Sequence, residues 1–160
     1  MINITDLHHD YLLITKMKMP LTKKVRLLSE LLTQYENCWR VIGITQKALQ
    51  IFVDNDFNKI KNMGVNRSHL VDRINTYSFM FENVFRDADS WWHYYIQYDE
   101  TILSTSSENR SDSTSEKIFF ENTDSLFKNS EFTWSYNNKE KLFIKKLAET
   151  KGLKKTNDQP

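Results

Sequence analysis

Trp91-Trp92-His93-Tyr94-Tyr95-Ile96-Gln97-Tyr98-Asp99-Glu100-Thr101-Ile102-Leu103-Ser104-Thr105 is the run that divides two possible folds. Trp92, Tyr94, Ile96 and Tyr98 alternate with Trp91, His93, Tyr95 and Gln97. Period two with this aromatic density favours a strand. Thr101 to Thr105 reads as a second strand. The two then form a hairpin around Asp99-Glu100, which are poor residues for a type I′ turn. The competing reading is a helix starting at Asp89, because apolar residues occupy nearly every position. The alternation tips the expectation toward β structure.

Upstream the pattern is helical. Leu21, Val25, Leu28, Leu32, Tyr35 and Trp39 recur every three or four residues, which makes one apolar stripe, with Thr22 as N-cap after Pro20. Trp39 to Ile44 is β-prone and reads as a short strand or as the end of that helix. Thr45 caps a short helix through Ala48, Leu49, Phe52 and Val53. A helix-like piece covers Phe57 to Met63, and Gly64 ends it. Asn66 caps a further helix with Leu70, Ile74, Tyr77, Phe81 and Val84 along one side.

Downstream, residues 104–115 are rich in Ser and Thr and predict a mobile surface loop. Lys117 to Glu121 and Glu131 to Tyr136 read as strands. Asn138 caps a last helix with Leu142, Phe143 and Leu147 inward. The sum is an α+β fold: N-terminal helices, then a small antiparallel sheet, then a C-terminal helix. Residues 1–151 are expected to form a single domain and 152–160 a flexible polar tail.

Composition bounds the function. The 160 residues are 39% hydrophobic and 27% charged, ordinary for a globular chain. One cysteine, Cys38, excludes a disulfide framework within the chain and suggests a reducing compartment. With no signal-like N-terminus and no membrane-length apolar run, the expected location is cytoplasmic, with no membrane partner. Net charge is +1, but residues 91–137 carry −5 and residues 138–160 carry +4. No Walker loop, dinucleotide fingerprint, nucleophile elbow or kinase signature is present. No cofactor is expected. Cysteine-rich zinc sites and His pairs at helical spacing are missing, so no metal is assigned. Abundant Asn and Ser in a small chain suggest a bacterial or phage accessory protein.

Gly64-Val65-Asn66-Arg67-Ser68-His69-Leu70-Val71-Asp72-Arg73 is the run richest in possible contacts. A glycine turn followed by a polar helix start resembles a helix-turn-helix. That resemblance implies that Arg67, Ser68, His69 and Arg73 face DNA or RNA. Lys59 and Arg73 depart from it, standing where the motif wants apolar residues. The plain alternative is an ordinary capped helix with surface ion pairs.

Arg86 and His93, with six residues between them, are similar to the motif of HEPN-family ribonucleases. That resemblance implies an all-helical fold, with His93 as acid/base and Arg86 stabilising phosphate charge. Asp99, Glu108 and Arg110 loosely resemble the carboxylates and basic residue of PD-(D/E)XK nucleases, and Glu149-Thr150-Lys151 has the spelling without the context. Three functions follow. The first is a nucleic-acid-binding accessory protein of a prokaryotic defence, mobile-element or regulatory system, acting through Arg67, Ser68, His69 and Arg73. The second is an immunity- or inhibitor-type module that binds a basic protein partner through the acidic, aromatic residues 91–137. The third is a small nuclease.

Overall fold

In a computed structural model, residues 3–35, 38–58, 62–110, 115–121, 126–127 and 136–156 are described. Their elements are α1 (Ile4–Lys16), α2 (Leu21–Thr33), β1 (Arg40–Thr45), α3 (Gln46–Asp54), β2 (Val65–His69), α4 (Arg73–Glu82), α5 (Ala88–Tyr98), β3 (Glu100–Thr105), a 3₁₀ turn (Glu108–Arg110), β4 (Lys117–Phe119) and α6 (Asn138–Thr150). The fold is α+β.

The expected antiparallel sheet is instead mixed. Its order is β2-β3-β1-β4. β1 runs parallel to β3, while β4 is antiparallel to β1 and β2 to β3. The register of β1 against β3 slips between Val41 and Gly43. A Cβ on Gly43 would stand 2.8 Å from the Ile118 carbonyl oxygen, so only glycine lets β4 pair this closely.

Residues 91–98 are helix α5, which overturns the strand and its hairpin. The Asp87 side chain accepts from the Ser90 N–H at 2.7 Å and caps the helix. Trp91 and Tyr95, four apart on one face, are fully buried. Each contributes about 2–3 kcal/mol by leaving water, which outweighs the modest β-preference of aromatics. They join Leu7, Tyr11, Leu28, Leu32, Tyr77 and Met80 in a cluster built by α1, α2, α4 and α5. Tyr11 ties this cluster together: its hydroxyl donates to the Met80 carbonyl at 2.6 Å and accepts from the Phe85 N–H at 3.2 Å.

A second cluster covers one face of the sheet. Val41, Ile44, Leu103 and Ile118 pack under Leu49 and Phe52 of α3 and Ile144 and Ala148 of α6. Thr45 caps α3 as expected, its hydroxyl accepting from the Ala48 N–H at 3.2 Å. The residue at the N-cap of α2 is Pro20, not Thr22. Asn137, not Asn138, caps α6, in a capping box with Glu140. Leu142 is 66% exposed, whereas Phe143 and Leu147 pack against the core as expected, beside the fully buried Ile144 and Ala148. No helix forms among the described residues of 57–63, where Phe57 and Asn62 take positive φ. The strand expected over 131–136 lies, except for Tyr136, outside the described residues. Residues 152–156 return to α3: Thr156 N–H and hydroxyl donate to Asp54, and Lys155 pairs with Asp56 at 2.7 Å.

Candidate functional site

Val65 to His69 is strand β2, so Asn66 caps no helix and no recognition helix starts there. The physical reason is pairing: β2 lies antiparallel on β3 with Val65 opposite Thr105 and His69 opposite Thr101. Asn66 instead donates to the Ser106 hydroxyl at 2.8 Å. The helix begins only at Arg73.

Alternation along a strand sends successive side chains to opposite faces. Arg67 therefore points to the face on which Trp39 lies. Its Cζ stands 5.2 Å from the centre of the Trp39 ring, and that of Arg73 stands 4.8 Å from it. The His69 ring meets Trp39 edge-on at 5.4 Å. Three of the residues expected to face nucleic acid thus converge on one indole. Trp39 itself holds φ +58°, a conformation that costs a bulky residue about 1–3 kcal/mol and needs local support.

That support comes from Asp99, which is 4% exposed. Its Oδ2 accepts from the Trp39 N–H and from the Tyr95 hydroxyl, both at 2.7 Å. Its Oδ1 lies 3.4 Å from His69 Nε2. The Trp39 carbonyl accepts from the Thr101 hydroxyl at 3.0 Å. Burial and the neighbouring Asp99 push the Cys38 thiol far up, so this cysteine stays protonated. Burial likewise raises the Tyr95 hydroxyl well above its ordinary value, with Asp99 adding to it.

His69 has a second side. It lines a cleft of about 470 Å³ that wraps round the end of edge strand β2. Ser68, Ser104, Thr45 and Ile102 come from the sheet, Leu70, Val71, Asp72 and Asn75 from the β2–α4 corner, and Glu108, Asn109, Ser115 and Lys117 from the far wall. Ser68 and Ser104 share a hydrogen bond across the β2–β3 pair. The His69 side chain is 17% exposed with Nε2 buried toward Asp99, so the cleft receives the other edge of the ring. A carboxylate behind one ring nitrogen and open space before the other is an arrangement for proton transfer. No hydrogen bond links His69 to Ser68 or Ser104 among the described contacts, so no serine nucleophile is assembled there.

Glu108, read with Asp99 as a nuclease carboxylate, instead takes a place on the cleft. In its segment, expected to be a mobile loop, Glu108–Arg110 form a 3₁₀ turn. Glu108 Oε2 accepts from the Thr45 hydroxyl, the Thr105 N–H and the Thr105 hydroxyl, each at 2.8 Å. Burial raises this carboxyl, but the Ser115 hydroxyl, the Thr105 backbone and the threonine hydroxyls more than reverse that and hold it below the usual range.

Arg86 and His93 are both exposed, the first in the loop before α5 and the second on α5, and neither lines the cleft. Asp99 and Glu108 serve different places, and no cluster of three His, Cys, Asp or Glu able to hold a metal occurs among the described residues. In the aromatic segment, Trp91 and Tyr95 are core, and Trp92, Tyr94 and Ile96 pack against it. Phe119, 56% exposed, is the aromatic left on the surface of the residues between 91 and 121. No helix among the described residues is long and apolar enough to cross a membrane.

The site thus defines an α+β chain with a polar cleft and a carboxylate-backed histidine. Set against known protein families, curated proteins and solved structures, the chain gives no match.

Proposed function

We propose that the cleft is an acid–base site acting on the phosphodiester of a nucleic acid or nucleotide. The observation that carries this reading is the His69 ring, set between a buried carboxylate and an open polar cleft. Asp99 lies behind one edge of the ring, while the exposed edge takes a proton from water or returns one to a leaving oxygen. Lys117 on the opposite wall supplies positive charge for phosphate. Glu108 and Asp72, which also line the cleft, are ready acceptors for substrate N–H groups.

The test is cleavage of labelled DNA and RNA oligonucleotides by the parent and by His69→Gln. The variant should be slower by about a hundredfold or more, the usual worth of a general acid or base. Its circular dichroism should be unchanged. Equal cleavage by both proteins, or none by the parent, sinks the reading.

Nucleic-acid binding without turnover is the second reading. It is favoured by Lys139, Lys145 and Lys146, which are exposed on α6 and held by no ion pair among the described residues. Binding of this kind weakens steeply with salt. Replacing these three lysines by Gln should lower the salt slope in a gel-shift titration, and an unchanged slope removes it.

A further inference from the structure

The corner between α1 and α2 takes no part in the cleft. From Tyr11 to Ser29 the chain carries five basic residues, Lys16, Lys18, Lys23, Lys24 and Arg26, and no acidic one. Lys16, Lys18, Lys23 and Arg26 are exposed, and no ion pair among the described residues holds them. Lys24 turns back instead. Its Nζ donates to the Thr15 carbonyl at 2.6 Å and ties the two helices across the corner. The Met17 N–H donates to the Ile14 carbonyl and the Lys23 N–H to the Pro20 carbonyl, so backbone bonds hold the turn on both sides.

Apolar side chains stand among these cations. Leu13, Met17, Leu21 and Leu27 are between 38% and 45% exposed. Met17 follows the last residue of α1 and Leu21 is the first of α2, so both lie at the corner itself. Leu13 is one turn behind Met17, and Leu27 one turn beyond Lys23 and Lys24. One exposed leucine on a surface needs no explanation, but four large apolar side chains set among unpaired lysines mark a contact.

The chemistry selects the occupant. Nucleic-acid phosphates would meet the lysines but leave Met17 and Leu21 nothing to bury against. An acidic lipid surface answers both: its headgroups take the cations and its acyl boundary takes the apolar side chains. Lysine suits that boundary, because its stem lies along apolar surface while its ammonium stays in water. We propose that the α1–α2 corner docks on an anionic membrane surface, with Met17 and Leu21 inserted and Lys16, Lys18 and Lys23 on the headgroups. The protein then lies on the membrane without crossing it. The expectation of no membrane partner rests on membrane-length apolar runs, which surface docking does not need.

The experiment is co-sedimentation of the full chain with vesicles of phosphatidylcholine alone, or of phosphatidylcholine and phosphatidylserine in equal parts. The parent should bind the mixed vesicles at least about tenfold more tightly and come off them as salt rises. This comparison needs no variant to fold. Lys16→Gln/Lys18→Gln/Lys23→Gln should weaken binding by about a hundredfold, at about fivefold for each cation near such a surface. Met17→Ser/Leu21→Ser should weaken it by about tenfold, because each side chain still has apolar area to bury. Lys139→Gln/Lys145→Gln/Lys146→Gln, on α6, should bind vesicles like the parent. Equal binding to both kinds of vesicle, or binding to neither, overturns the proposal. So does full binding by either corner variant, or binding lost in the α6 variant. An oligonucleotide held by the parent and released by the corner lysine variant, without vesicle binding, assigns the corner to nucleic acid and equally overturns it.

Discussion

Asp99 is the residue whose replacement separates the fold from the chemistry. In Asp99→Ala, the Trp39 N–H and the Tyr95 hydroxyl both lose the acceptor they reach at 2.7 Å, and His69 loses its carboxylate. Hydrogen bonds to a charged group are worth about 1.5–3 kcal/mol each, and donors left buried without a partner add to the cost. Breaking a buried charged arrangement by removing one member costs about 3–5 kcal/mol. A loss of about 4 kcal/mol is therefore expected. At about 2–4 °C per kcal/mol for a chain of this size, the melting temperature should fall by about 10–15 °C.

Asp99→Asn behaves differently. An amide oxygen in the Oδ2 position still accepts from Trp39 and Tyr95, so the loss should be about 1 kcal/mol. The amide NH₂ then takes the Oδ1 position and donates to His69 Nε2. That moves the histidine proton to the nitrogen facing the cleft, which turns a base into a donor. Cleavage should fall by about a hundredfold or more while the protein stays folded. Urea denaturation followed by tryptophan fluorescence measures the first quantity, and oligonucleotide cleavage the second. The reasoning is refuted if Asn destabilises as much as Ala, if Ala costs less than about 1 kcal/mol, or if Asp99→Asn cleaves like the parent.

Gly43→Ala should destabilise the protein by about 1–3 kcal/mol, because its Cβ meets the backbone of β4 rather than a movable side chain; a neutral result in chemical denaturation would show that β4 yields freely. Glu108 has a folded pKa below its ordinary value of 4.5, so its contribution to stability is complete above that value and is lost as pH falls through the folded one. Between about pH 5 and pH 2, the parent should therefore lose stability more steeply than Glu108→Gln, and parallel curves would count against the depressed carboxyl.

Elements whose signal is local were legible in the sequence. α2 follows from Leu28 and Leu32, and α3 from the Thr45 cap with Ala48, Leu49 and Phe52 behind it. β3 follows from its short β-prone run. Readings failed where two local signals compete or where the answer lies far along the chain. In α5 the aromatics mimic a strand, and the decisive sign was the Asp87 cap with Trp91 and Tyr95 four apart. In β2, Gly64 and Asn66 look like helix punctuation, yet a polar edge strand uses the same residues. Parallel pairing of β1 with β3 leaves no local mark at all. His69 was singled out, but Asp99 was weighed as a nuclease carboxylate and not as its partner. Glu108 carries the same nuclease reading, and its hold by the Thr45 hydroxyl as well as that of Thr105 depends on a strand neighbour far along the chain.

The charged crowding at Arg67, His69, Asp72 and Arg73 has its account in strand geometry. Successive residues of β2 serve opposite faces: Arg67 supports Trp39, Ser68 meets Ser104 at the cleft, and His69, at the strand end, touches both Asp99 and the cleft. A slip of one residue would exchange those faces and bury Ser68 where Arg67 belongs. The register therefore has to be pinned at both ends. At one end Gly64, at φ +81°, accepts from the Ser106 N–H at 2.9 Å, and Asn66 donates to the Ser106 hydroxyl. At the other, the Leu70 N–H donates to the Glu100 carbonyl at 3.0 Å, directly beside Asp99. Position and chemistry thus have one origin: the bonds that hold β2 in register also bring His69 against its carboxylate.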